Sequence, residues 1–131
     1  MEEKKKVLYA DDDLDDKAWI IEAWETLDFP LQIEFVDNGR QAIEYLQQSD
    51  GAMPALIVLD LNMPEMDGRQ TLQKLKNDPQ FRHIPVVIVT TSTSKLDIEV
   101  CKRLGASQFL TKPDTHAEWQ EIVQQLQPYL A

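Results

Sequence analysis

Short apolar runs alternate with longer amphipathic stretches along the whole chain, and this alternation predicts the architecture. Runs rich in Val, Ile and Leu within Lys6–Ala10, Gln32–Val36, Leu56–Leu59, Val86–Thr90 and Gln108–Thr111 read as five strands. Segments of helical length follow each of them: Leu14–Leu27, Arg40–Gln48, Gly68–Asn77, Lys95–Leu104 and Ala117–Leu130. A strict strand-then-helix order requires right-handed crossovers, and these place helices on both faces of a parallel sheet. The expected fold class is therefore α/β, a doubly wound five-stranded parallel sheet.

Local punctuation agrees with this plan. Asp12 or Asp13 can cap the first helix, Asp37-Asn38-Gly39 forms a turn, and Pro79 and Pro85 bracket the approach to the fourth strand. Trp19, Ile20, Ala23, Trp24 and Leu27 recur at helical spacing, as do Trp119, Ile122, Val123 and Leu126, so both sets are expected to pack on the sheet. Cys101 falls in a similar stripe with Ile98 and Leu104 and is expected to be a buried small hydrophobe. His83 and His116 have no second histidine at ligand spacing and read as surface residues.

With 131 residues, 43% of them hydrophobic, the chain supports one core, and a single domain spanning 1–131 with no output domain is expected. The formal net charge of -10 argues against nucleic-acid and acidic membrane partners. No apolar stretch suggests a signal peptide or a membrane span. The single cysteine cannot form an internal disulfide, which fits a cytoplasmic protein.

Parallel strands all end at one sheet edge, where ligands of such folds bind. The residues just beyond the apolar runs thereby become neighbours: Asp11, Asp12 and Asp13, then Asp60, then Thr90, Thr91 and Ser92, then Thr111 and Lys112. Asp60 alone would be a turn former, Lys112 alone a solvated lysine, and Thr90 an ordinary strand hydroxyl; joint placement changes each reading. Carboxylates ~4 Å apart repel by about 4 kcal/mol at an effective dielectric near 20. Either one of them is protonated or a hard cation sits among them, and Mg2+ suits such a site because it takes one or two carboxylates and retains waters. A carboxylate beside a cation, a hydroxyl and an ammonium has the parts for phosphoryl transfer, with Asp60 as the nucleophile.

Asp11-Asp12, Asp60 followed by Met63-Pro64 and Asp67-Gly68, Val89-Thr90, Gly105-Ala106 and Lys112-Pro113 together resemble response-regulator receiver domains, from Lys5 to about Leu130. The resemblance implies a flavodoxin-like (βα)5 fold with strand order 2-1-3-4-5. That order is the family's, which is itself a standard example of the fold, and is not read from periodicity. It implies Asp60 as phosphoacceptor, Asp12 as direct Mg2+ ligand, Asp11 as a ligand through water or a positioning group, and Asn62 as a ligand through its backbone carbonyl. It further implies Thr90 as the switch hydroxyl, Lys112 as the phosphoryl partner and Phe109 as the switch aromatic. The bond before Pro113 is often cis in the family. Thr91 stands where many members carry Ala or Gly, which bears on access to the phosphate, and Asn62 and Ser92 occupy positions that tune its lifetime. Asp13, Asp15, Asp16 and the Thr90-Thr91-Ser92 run resemble short receivers partnered with bacterial phytochrome-type kinases, while Asp15 and Asp16 themselves read as helix-dipole acids.

The function this implies is a stand-alone response regulator. It would take a phosphoryl group from a sensor histidine kinase or phosphotransfer protein and act on a downstream protein target or through a homodimer. It would not be an enzyme beyond its own phosphorylation and dephosphorylation. The competing class is an aspartate-nucleophile phosphohydrolase, disfavoured because position 62 is Asn where that pattern has Asp, and because no cap domain is visible.

Overall fold

The computed structural model describes residues 5–27, 31–49 and 53–130. Its elements run β1 (Lys5–Ala10), α1 (Leu14–Glu25), β2 (Leu31–Val36), α2 (Gly39–Gln48), β3 (Leu56–Leu59), α3 (Gly68–Asn77), β4 (Val86–Thr90), α4 (Lys95–Leu104), β5 (Gln108–Thr111) and α5 (His116–Leu126). A short 3-10 turn, Gln127–Leu130, follows. The five strands are parallel in the order β2-β1-β3-β4-β5.

Strand alternation divides the core in two. Val7, Tyr9, Leu56, Val58, Val87 and Val89 face α1 and α5, where they meet Ile20, Ala23, Trp24, Trp119 and Val123. Leu8, Ala10, Ile57, Leu59, Val86 and Ile88 face the other way, against Ala42, Leu46, Leu72, Leu75 and Cys101 of α2, α3 and α4. β3 and β4 are buried along their whole length, as central parallel strands must be when both faces are covered.

Helix starts are set by side chains that satisfy free N–H groups. Asp13 is the residue that caps α1, accepting from the N–H groups of Asp15 and Asp16. Asn38, Ser94 and Thr115 cap α2, α4 and α5. Asp67 and Gln70 form a reciprocal capping box on α3. Gly105, at φ 106, ends α4 in the left-handed conformation.

Three expectations needed correction. Trp19 does not join the core: it is 38% exposed and stacks on His116, with ring centroids 5.6 Å apart. The buried stripe of α1 is Ile20, Ala23 and Trp24, so Trp19 lies at its border. The last helix stops at Leu126 because Pro128 has no N–H to donate and its ring obstructs an α-helical turn. The bond before Pro113 is trans, the intrinsically preferred isomer, as are the other described peptide bonds.

Gly68 fixes the loop that leaves β3. A Cβ there would overlap the carbonyl oxygen of Asp60 and lie 2.9 Å from Cα of Leu61, both backbone atoms that cannot rotate away. Gly68→Ala should therefore lower stability by about 2 kcal/mol or more, as overpacking against fixed atoms does. Urea unfolding of the two proteins checks this; an unchanged midpoint would show that the loop can relax.

Candidate functional site

The sheet ladder continues one residue past three of the strands and delivers the polar side chains to one edge. Asp11 N–H donates to the Val36 carbonyl (3.0 Å), Asp60 N–H to Ala10 (3.1 Å) and Lys112 N–H to Thr90 (2.7 Å). Strand parity then aims Asp11, Asp60 and Lys112 to the α1/α5 side. Thr90 and Phe109 fall on the side of α2, α3 and α4, where Phe109 packs half-buried against the second core.

Lys112 is the centre of the cluster. Its Nζ donates to Oδ2 of Asp60 at 2.8 Å, lies 3.0 Å from Oδ2 of Asp11, and pairs with Oδ2 of Asp16. The other oxygen of Asp60 accepts the Asn62 N–H at 3.2 Å, and that of Asp11 accepts the Asp13 N–H at 2.9 Å. The approach of Lys112 to Asp11 is not aligned for a hydrogen bond, so the buried Oδ2 of Asp11 has charge nearby but no donor.

Burial pushes the Asp11 carboxyl up to about 6, against the Asp13 N–H and Lys112, which favour its ionised form; the charge of Asp60 adds to the rise. Burial works against the Lys112 ammonium, but the bonds to Asp16 and Asp60 and the charge of Asp11 outweigh it and hold the lysine above its ordinary value. Beneath them the Tyr9 hydroxyl is wholly buried without a hydrogen-bond partner. Its pKa is driven up by burial and then by Asp11, Asp16 and Asp60.

The expected residues thus divide. Asp11, Asp60 and Lys112 meet; Asp12 is exposed, and among the described residues no three Asp, Glu, His or Cys side chains are grouped for a metal. Thr90 is fully buried, with its Oγ1 accepting the Ser92 N–H at 3.4 Å. The donor chemistry fits a hard cation nonetheless, because Asp11 offers a buried anionic oxygen without a donor and Mg2+ needs only one or two carboxylates beside its waters.

Two contacts escaped the sequence reading. Asp16 was assigned to the helix dipole, yet its position one turn into α1 puts it on Lys112; helical spacing from the Asp13 cap was the available signal. Arg69 at the start of α3 pairs with Asp97 of α4 at 2.7 Å, and the other Asp97 oxygen accepts from Ser92 Oγ at 2.7 Å. No sequence pattern announces that bridge between the loops after β3 and β4.

Residues 7–124 match the family described as the response regulator receiver domain. The chain is a response-regulator receiver domain. It is 31% identical over 126 residues to the probable methanogenesis regulatory protein FilR2 of Methanothrix harundinacea, covering 94% of this chain and 81% of that protein. It is 30% identical over 129 residues to response regulator Rcp1 of Synechocystis, covering 95% and 88%. The Mn2+-bound structure of Rcp1 superposes with a TM-score of 0.86 at 30% identity, over 96% of this receiver and 94% of that chain. The phosphorylated cyanobacterial phytochrome response regulator RcpA superposes at 0.88 with 32% identity, over 97% and 94%.

The receiver's Asp11 carries a pH signature. Its pKa is raised from 3.8 to about 6 on folding, so the native state holds a proton that the unfolded chain releases. That contribution to stability is fully present below pH 3.8 and is lost as pH rises through about 6. With a chelator present, Asp11→Asn should therefore gain stability relative to wild type between those values and stay level above them. Urea midpoints across pH measure the difference, and a pH-independent gap would refute the assignment.

Proposed function

We propose that this receiver is a stand-alone phosphorylation switch whose phosphoacceptor is Asp60. The observation that carries the reading is the clamp on that carboxylate. Oδ2 is held by Lys112 at 2.8 Å and Oδ1 by the Asn62 N–H at 3.2 Å, at the carboxyl end of β3, where 5% of the residue is exposed. An Asp60 oxygen attacks the phosphorus of a phosphohistidine on a sensor histidine kinase or phosphotransfer protein. The new O–P bond forms as the P–N bond breaks, and the imidazole leaves with the electron pair. Mg2+ would be held by Asp12, by Asp11 directly or through water, and by Asp60 with the Asn62 carbonyl; bound there, it would neutralise charge on the phosphoryl oxygens.

The phosphoryl group adds charge and three acceptor oxygens next to Lys112. Thr90 is the hydroxyl drawn toward it, and Phe109, on the same face, carries the change to the surface around α4 and β5. Moving a 1:99 equilibrium to 99:1 requires about 5.5 kcal/mol of preference for the active state, more than one charge-assisted bond supplies. Lys112, Thr90 and the cation acting together are suited to it. The readout is altered contact with a downstream protein or a second copy of the chain, and the catalytic role is confined to its own phosphorylation and dephosphorylation.

This chain covers most of the length of Rcp1 and RcpA, and its likeness to RcpA, a cyanobacterial phytochrome response regulator, supports a phytochrome-type kinase as donor. Among the described residues no helix is long and apolar enough to cross a membrane.

Incubation with acetyl phosphate and Mg2+ should add one phosphoryl group to the wild type and none to Asp60→Asn, read by intact mass. Equal labelling of both would sink Asp60 as acceptor. Sustained turnover of small phosphomonoesters would instead favour the phosphohydrolase.

A further inference from the structure

Three carboxylates, those of Asp11, Asp16 and Asp60, surround the one ammonium of Lys112, and a phosphoryl group at Asp60 would add a fourth claim on its three N–H bonds. Resting on the reading that Asp60 is the phosphoacceptor, we propose that Asp16 is a positioning residue of the phosphoryl site. It holds the Lys112 ammonium toward α1 and competes with an anion bound at Asp60 for it.

The three acids are not equally able to let go. Asp60 is the point of attachment, and the fully buried Asp11 side chain is pinned by the Asp13 N–H at 2.9 Å. Asp16 is the most solvated of the three, with a side chain 16% exposed, and among the described residues Lys112 is its side chain's one partner. Phosphoryl oxygens arriving at Asp60 require an N–H from Lys112. The carboxylate that yields is the one whose return toward water costs least, and that is Asp16. The strength of the Asp16 pair therefore subtracts from the affinity of the site for a phosphoryl group, and its release frees the first turn of α1.

Asp15 supplies the control. It carries the same charge one residue away, is exposed, and makes no ion pair among the described residues. Beryllofluoride, a phosphoryl mimic, would be titrated in excess Mg2+ and its bound form followed by 19F NMR for wild type, Asp16→Asn, Asp15→Asn and Asp16→Glu. Asp16→Asn should bind roughly five- to tenfold more tightly than wild type, the scale of one partly buried ion pair. Asp15→Asn should change affinity by less than about twofold, since screening weakens an exposed charge. Asp16→Glu should return toward wild type. Damage to the fold would lower affinity, so a gain is not the mark of a merely structural residue. Unchanged or weaker binding by Asp16→Asn, or an equal gain in Asp15→Asn, would overturn the competition. Failure of the wild type to bind the mimic would instead remove the phosphoacceptor reading, and this inference with it.

Discussion

The ammonium of Lys112 among Asp11, Asp16 and Asp60 is the interaction on which this end of the molecule depends. Hydrophobic burial explains the sheet and its two layers of helices, but it also forces the strand ends into one place, together with whatever acids they carry. Without a cation there, the acids would repel in a setting poor in water. Such buried ion pairs are weak evidence for stability, since desolvation consumes much of the Coulomb gain. Their value here is geometric: one ammonium fixes the relative positions of β1, β3, β5 and α1.

Parity gives the site two sides. Asp11, Asp60 and Lys112 lie toward α1 and α5, whereas Thr90 and Phe109 lie toward α2, α3 and α4, so the charged cluster and the Thr90–Phe109 pair occupy opposite faces of the sheet. On the second face, Ser92 sits two residues past Thr90 and is tied through Asp97 to Arg69. A shift of the loop after β4 must therefore be accommodated at the start of α3, the helix that Gly68 holds against the Asp60 backbone.

Much of this was legible in the chain. Apolar runs bounded by turn residues placed every strand within a residue of its observed limits, because central parallel strands have no polar face to obscure them. Asp11, Asp60 and Lys112 followed from the rule that parallel strands end together. The strand order came from family likeness, since pairing partners are not written in local periodicity. Trp19 was misplaced because two tryptophans at helical spacing cannot show which lies at the border of the stripe. Asp16 was missed because an acid in a first turn already has a sufficient local explanation, and its contact spans the sheet from α1 to the end of β5.

The protonation of Lys112 has a chemical consequence beyond binding. An aspartyl phosphate is a mixed anhydride, and a free amine beside its acyl carbon would attack that carbon, expel phosphate and leave an isopeptide crosslink. Lys112 sits 2.8 Å from the Asp60 carboxylate, close enough for this to be a hazard if Asp60 is phosphorylated as proposed. Its carboxylate neighbours keep the nitrogen lone pair occupied by a proton. On the proposed phosphorylation of Asp60, the surplus of acids that crowds the site would thus lower still further the free-amine fraction open to such self-acylation.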